Sequence, residues 1–212
     1  MSHHIYTTPG FIIDSRASGE AGRLLYIYTR DLGLVLAVAQ GVRLDVSKLR
    51  YHTQDFSYAT FSLVRGKEMW RLTGVTPISD ENQISHQVSK KEIGTIGEIE
   101  TLRARVFSLL KRLLHGEEAN EMLFSILVGF NEYITKGNVD PADIEYIECI
   151  VVLRILYVLG YMEHTSKENG ELAVFFSDTT LTEWSPSMLV DMKRARPLAI
   201  RIINEGLKAS QL

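Results

Sequence analysis

The sequence predicts an α+β chain: a small five-stranded antiparallel β-barrel followed by an all-helical C-terminal domain. Three observations carry that prediction. Short β-rich runs crowd the first third of the chain, each closed by a turn or by a cluster of charged residues. Near residue 90 the spacing of apolar residues changes from two to nearly four. Between these regions, Pro77 to Lys91 reads PISDENQISHQVSKK, low in hydrophobicity and rich in turn formers. The expected division is a barrel over 1–78, a linker over 79–91 and a helical domain over 92–212.

Tyr6 to Asp14 opens the barrel, with Pro9-Gly10 in a position that suits an edge start or a bulge. In Arg23 to Thr29 the two faces are Leu24, Tyr26, Tyr28 and Leu25, Ile27, Thr29. Both are largely apolar or aromatic, so one faces the barrel core and the other is expected to be covered by the helical half of the chain. Leu34 to Gln40 lies between Gly33 and Gly41, and Val42 to His52 then shows no strand alternation and reads as a loop or short helix. Phe56 to Val64 and Met69 to Thr73 are joined by Arg65-Gly66-Lys67-Glu68, whose length and glycine fit a hairpin. Five strands is the number that a partly open Greek-key barrel of the OB type needs, and such barrels commonly hold strands of nucleic acid.

In the second half, Ile99, Leu102, Val106, Leu109, Leu110, Leu113 and Leu114 form one helical stripe, with Glu98 and Glu100 read as first-turn acids and Gly116 as the stop. Glu118 to Thr135 repeats the pattern. Asp140-Pro141 reads as an N-cap followed by proline at the first helical position, opening a third helix to about Gly160. Ile147 to Leu159 is apolar nearly all round, as a central bundle helix is, and Arg154 inside it needs an acidic partner or a route to solvent. Glu171 to Phe176 reads as a brief extended piece. Ser185-Pro186 starts a short helix to Ala195, and Arg196-Pro197 starts a last one to Ala209.

The chain of 212 residues is long enough to bury a real core, and with 45% hydrophobic and 23% charged residues wholesale disorder is excluded. Net charge is -3, yet it is unevenly distributed: residues 1–75 carry +3 and the remainder -6. A basic module joined to an acidic one suggests a polyanion partner for the first. The single Cys149 builds neither a disulfide framework nor a zinc site, and the longest apolar run, Cys149 to Leu159, is far too short for a bilayer span of roughly 20 residues. With no basic leader or apolar stretch of signal-peptide length at the N-terminus, the expectation is a reduced, cytoplasmic protein with no membrane partner.

Signals of catalysis are missing. Gly66-Lys67 is followed by Glu68 and lacks the upstream glycine of a phosphate loop, and there is no GxSxG, HExxH or GxGxxG. His3, His4, His52, His86, His115 and His164 share no metal-ligand spacing, so neither a metal nor another cofactor is expected. Asp140 and Asp143 are better explained as helix-start residues than as an acid–base pair. A single-strand groove needs cations for phosphates and aromatic faces for bases. Arg43, Lys48, Arg50, Arg65 and Lys67 are the candidate cations, and Tyr51, Tyr58 and Trp70 the candidate stacking platforms. Beside this stands the plainer reading, in which Tyr26, Tyr28, Phe56, Phe61 and Trp70 pack inside, as strand aromatics usually do.

The patterns TxxGFII, GEAGRLLYIYTRDLGL, AVAQGVRLDVSKLRYHTQDFS and RGKEMWRLTGV, in that order, resemble the N-terminal domain of the RecO family of recombination mediators. A weaker likeness continues in Val151-Val152-Leu153-Arg154-Ile155-Leu156 and Leu159-Gly160-Tyr161, similar to the family's leucine-rich helix. The resemblance implies an OB barrel followed by a helical domain. It implies binding of single- and double-stranded DNA, annealing of complementary strands, and recombinase loading with RecR and the tail of the single-stranded-DNA-binding protein, in a cytoplasmic, nucleoid-associated setting. By position, Gly41-Val42-Arg43 and Ser47-Lys48-Leu49-Arg50 match the family's basic segment. Two departures stand out: Leu44-Asp45-Val46 interrupts that segment, and Cys149 alone cannot build the four-cysteine zinc module that many members carry. The rival reading is a protein-interaction adaptor whose cations do no specific work, and convergence of the five cations on one face is what separates the two. A deep pocket lined by histidines would instead point to an enzyme.

Overall fold

A computed structural model describes residues 4–44, 47, 49–78, 90–136, 139–162, 172–176 and 181–211. Five strands, β1 (Ile5–Ser18), β2 (Gly22–Thr29), β3 (Gly33–Ala39), β4 (Tyr58–Arg65) and β5 (Trp70–Pro77), close into a barrel in the order β1-β2-β3-β5-β4. This is the expected five-stranded OB-type barrel, with one seam that is parallel: Ala37 of β3 pairs with Trp70 of β5, and Val38 with Arg71. Every other pairing is antiparallel.

Closure depends on the length of β1, which pairs with β4 through Ile5 to Phe11 and with β2 through Gly10 to Ser18. At the overlap, a Cβ on Gly10 would lie 2.9 Å from the Tyr28 carbonyl, so only glycine lets the strand turn this corner. The bulge anticipated at Pro9-Gly10 falls instead between Ile12 and Asp14, and Pro9 sits within the ladder opposite Thr60. β4 also starts two residues later than its apolar run suggests. Phe56 adopts a left-handed backbone, φ 70°, donating its N–H to the Ile12 carbonyl at 2.7 Å and stacking its ring on Phe107. Such a conformation is costly for a bulky residue, and packing holds it there.

Inside the barrel, period-2 alternation places Leu25 and Ile27 of β2, Val35, Ala37 and Ala39 of β3, and Ala59, Phe61 and Leu63 of β4 in one buried cluster with Ile12, Val42, Trp70 and Leu72. Each large side chain so buried contributes about 1.5–3 kcal/mol. The second apolar face of β2 is covered as expected. Its cover comes from the last part of helix α1 (Lys90–Leu113) and the residues that follow. Phe107 packs on Phe11, Lys111 lies 4.2 Å from the centre of the Tyr26 ring and pairs with Asp14, and the Tyr28 hydroxyl donates to the Asn120 carbonyl at 3.2 Å. Burial raises the Tyr28 hydroxyl pKa well above its ordinary value. Where this cover meets β3, the backbone of Glu118 comes so close to Gly33 that a Cβ there would lie 2.3 Å from the Glu118 carbonyl oxygen.

By packing, the chain divides into two compact units, Met1–Val88 with Arg103–Glu121, and Ser89–Leu102 with Met122–Leu212. Of the expected linker, residues 79–89 lie outside the described residues, and its last two are already in α1. The helix begins well before the stripe expected from Ile99, at Lys90. Glu98 and Glu100 are accordingly mid-helix residues rather than first-turn acids.

The second unit holds α2 (Glu121–Lys136), α3 (Ile144–Val158) and α4 (Pro186–Ala209). Asp140 caps a single 3-10 turn, Pro141–Asp143, that leads into α3. α3 is buried on all sides from Cys149 to Leu156 and packs on α4. Arg154 is fully buried, and its guanidinium meets backbone carbonyls and a ring: it donates to Glu183 at 2.9 Å and Phe175 at 3.4 Å, and lies 4.9 Å from the centre of the Trp184 ring. Desolvation lowers its pKa to about 10, which leaves it charged at neutral pH.

Two sequence expectations are corrected here. The described part of 171–176 is a single 3-10 turn, Ala173–Phe175, because Leu172, Phe175 and Phe176 all bury together and Phe176 stacks on Tyr157, which strand alternation would not allow. The two short helices are one: Pro197 lies inside α4. An interior proline costs about 3 kcal/mol. The stripe Met188, Leu189, Met192, Ala199, Ile202, Gly206 buries on both sides of it and outweighs that penalty.

Candidate nucleic-acid interface

Beyond β3 the chain folds back on itself before entering β4. Arg43 N–H bonds to the Ala21 carbonyl at 3.0 Å, Arg50 N–H to Ser47 at 3.2 Å, and a single 3-10 turn, Arg50–His52, delivers the chain to Thr53. Thr53 is buried, its hydroxyl donating to the Leu49 carbonyl at 2.9 Å, and its own carbonyl accepts from Arg23 Nη1 at 3.0 Å. An open cleft of about 400 Å³ results, lined by Ala17, Arg23, Val42, Arg43, Arg50 and Thr53. Arg43 also reaches the Gly19 carbonyl, at 3.4 Å. No carboxylate lines this cleft among the described residues.

A second cleft of about 430 Å³ surrounds the β4–β5 hairpin, where Gly66 N–H closes the turn on the Met69 carbonyl, and it includes Val38, Gln40, Arg65, Lys67, Glu68 and Arg71. Strand register relates the two. Arg23 pairs with Ala39 and Arg71 with Val38, so the clefts flank the last residues of β3 at one end of the barrel. At the other end, in the β2–β3 turn, Arg30 is bound to Asp31 at 3.0 Å, which lowers the carboxyl pKa and raises that of the guanidinium.

Of the five cations expected from sequence, Arg43 and Arg50 meet in the first cleft, and Arg65 and Lys67 in the second. Lys48 lies outside the described residues. Arg65 is held by the chain itself: it pairs with Glu117 and lies 4.9 Å from the centre of the Trp70 ring, while Glu117 also accepts from Trp70 Nε1 at 2.9 Å. Among the aromatics, Tyr51 is 72% exposed beside Arg50, whereas Trp70 is 3% exposed and belongs to the core cluster, with Tyr6 edge-on against it. Tyr58 is half-buried and stacked on Phe11 at 4.4 Å. Only Tyr51 of the three offers an open ring, because the strands turn the other two into packed positions. The outer face of strands 2 and 3, which OB barrels use for oligonucleotides, is here met by Lys111, Glu118 and Asn120.

Arg23 and Arg71 are absent from the site expected from sequence. Arg23 does carry a signal, since it continues the inward row of Leu25 and Ile27 to the barrel mouth, where a cation reaches solvent. For Glu117 as a counter-ion there is none. Among the described residues no three His, Cys, Asp or Glu side chains gather to hold a metal ion, and no helix is long and apolar enough to cross a membrane.

The family profile described as "Recombination protein O N terminal" matches residues 1–80, which span all five strands. The barrel is thus similar to the N-terminal domain of RecO proteins. Similarity to named RecO proteins runs further. The chain is 28% identical over 169 residues to the DNA repair protein RecO of Heliobacterium modesticaldum, covering 76% of this chain and 54% of that one. It is 28% identical over 157 residues to that of Desulfitobacterium hafniense, covering 74% and 52%, and 30% identical over 161 residues to that of Dehalococcoides mccartyi, covering 74% and 57%. The chain thus spans about half the length of the curated RecO proteins it matches.

Proposed function

We propose that this chain acts in DNA repair by recombination, binding DNA at the end of the barrel where β3 finishes and performing no chemistry of its own. The observation that carries the reading is the cleft that Arg23, Arg43 and Arg50 line together, on a domain similar to that of the RecO family. Guanidinium groups bind phosphate oxygens through paired N–H donors, and phosphate contacts position a strand without reading its sequence. Lys67 and Arg71 extend the basic surface past β3, and Tyr51 supplies a face for one base. In this reading the barrel holds single- and double-stranded DNA, brings complementary strands together to anneal, and supports recombinase loading with RecR and the tail of the single-stranded-DNA-binding protein, in the nucleoid-associated cytoplasm.

The test is anisotropy of labelled single- and double-stranded DNA titrated at several salt concentrations, with the Arg43→Ala, Arg50→Ala double variant alongside. Binding that weakens with salt, at about -0.7 in the log–log slope per single-strand phosphate, and that the double variant loses while staying folded, is the expected result. No binding at low salt would sink it. The adaptor reading has two observations of its own: Arg65 is paired with Glu117, and the usual oligonucleotide face is met by the chain itself. Failure to bind DNA moves the conclusion there.

A further inference from the structure

The cleft at the β4–β5 hairpin adjoins an oxyanion of the chain's own. Strand pairing sets Arg65 directly opposite Trp70, and the turn between them closes through Gly66, whose N–H bonds to the Met69 carbonyl at 3.1 Å. Side chains paired in this way share a face, and the Arg65 guanidinium lies 4.9 Å from the centre of the Trp70 ring. The guanidinium and the indole N–H are thus two donors aimed at one place. Glu117 fills it: carboxylate Oε1 accepts from Trp70 Nε1 at 2.9 Å, and Oε2 pairs with Arg65 Nη1. Glu117 lies in the connection after α1, next to Gly116 with its left-handed φ of 76°. Its neighbours are held on the barrel, Glu118 by close approach to Gly33 and Asn120 by the Tyr28 hydroxyl, so Glu117 can leave by rotating its side chain alone.

We propose that this is a phosphodiester site whose resting occupant is Glu117, and that a DNA phosphate takes the place of the carboxylate between Arg65 and Trp70. A phosphodiester offers what the two donors hold now, a single negative charge on two terminal oxygens, and a guanidinium accepts that fork from carboxylate and phosphate alike. The Arg65–Glu117 pair is exposed and therefore costs little to break. The indole makes the exchange selective. Trp70 is almost fully buried, and a buried N–H without an acceptor is costly, so Glu117 yields to a ligand that brings an oxygen. Lys67 and Arg71, which line the same cleft together with Glu68, lie where they can hold the neighbouring phosphates. This rests on the DNA-binding reading above and adds to it a contact that the free protein keeps occupied.

The experiment follows the indole N–H signals of the two tryptophans by proton–nitrogen NMR as a single-stranded oligonucleotide is added, with anisotropy of the same strand in parallel. Trp184→Phe assigns the signals. The Trp70 signal is expected to move in step with the anisotropy curve, and in Arg65→Ala to stay at its position in the free variant. Glu117→Gln keeps an acceptor for the indole and removes the charge, and should bind the strand about threefold more tightly, the worth of an exposed ion pair. Melting temperatures check that both variants are folded. A Trp70 signal that stays still while the strand binds overturns the exchange and leaves DNA binding intact, as does one that moves equally in Arg65→Ala. Unchanged affinity of Glu117→Gln overturns it as well. The same movement produced by inorganic phosphate at the strand's phosphate concentration overturns the assignment to a strand. If anisotropy shows no binding at all, the proposed function fails and this site with it.

Discussion

The two clefts flanking the end of β3 are built from the same residue types and differ in what the chain does with its own acids. Around Arg23 and Arg43 the partners are backbone carbonyls, which orient a guanidinium without cancelling its charge. Around the β4–β5 hairpin, Glu117 takes Arg65 and the Trp70 N–H together. A count of cations along the sequence treats the two as equal. The structure ties two arginines of the first to the backbone and partly neutralises Arg65 of the second.

The sharpest break of that comparison is at the rings. Trp70→Ala should cost about 3–5 kcal/mol of stability by emptying a core position, read as a lower urea midpoint. Tyr51→Ala should change stability by no more than about 0.5 kcal/mol yet weaken single-strand binding by about 1–3 kcal/mol if its ring stacks on a base. Equal stability losses in both variants would mean that Trp70 is not the packed partner of the pair.

Next in size come the cations. Removing Arg43 and Arg50 together should weaken DNA binding at least about tenfold and flatten its salt dependence, and Arg65→Ala should do so by less than about threefold, because Arg65 already has a counter-ion. Comparable losses would erase the distinction between the clefts. Glu117→Gln sharpens the same point from the other side. The amide keeps an acceptor for Trp70 and releases the charge of Arg65, so affinity should rise a few-fold and the salt slope steepen by about 0.7. A slope unchanged from wild type would show that Arg65 cannot reach DNA.

The smallest effect is expected outside both clefts, at the Arg30–Asp31 pair. The Asp31 carboxyl is held below its ordinary value, first by the hydrogen bond from Arg30. Its stabilising contribution is fully present above about pH 4, the ordinary aspartate value, and is lost as pH falls through the lower folded value. Melting temperatures of wild type and Asp31→Asn should differ slightly near neutrality and converge towards pH 2. A gap that persists at pH 2 would assign the effect to something other than this charge. Neither form should differ in DNA binding.

Much of the architecture is legible in the order of the residues. Five β-rich runs separated by glycine and charge, and a change of period near residue 90, suffice for a barrel followed by helices, because alternation and helical stripes arise from neighbours a few residues apart. The same local logic finds Arg43, Arg50, Arg65 and Lys67 in or beside the loops that join strands. It fails where distant segments compete with local preference. Pro197 signals a break by propensity, yet the apolar stripe on either side keeps α4 whole. Phe56 has strand propensity, yet its ring finds Phe107 and the backbone bends to allow it.

By itself, then, the sequence determined the class of fold, the kinship with RecO proteins and the neighbourhood of the basic loop, since each depends on order and spacing along the chain. Only the tertiary structure decided which cations act together. Barrel closure brings Arg23 to Arg43 and Arg50, and the segment after α1 returns Glu117 to Arg65 across 52 residues. Electrostatic interaction falls with distance in space and is indifferent to distance in sequence, so no reading of local pattern could assign those partners.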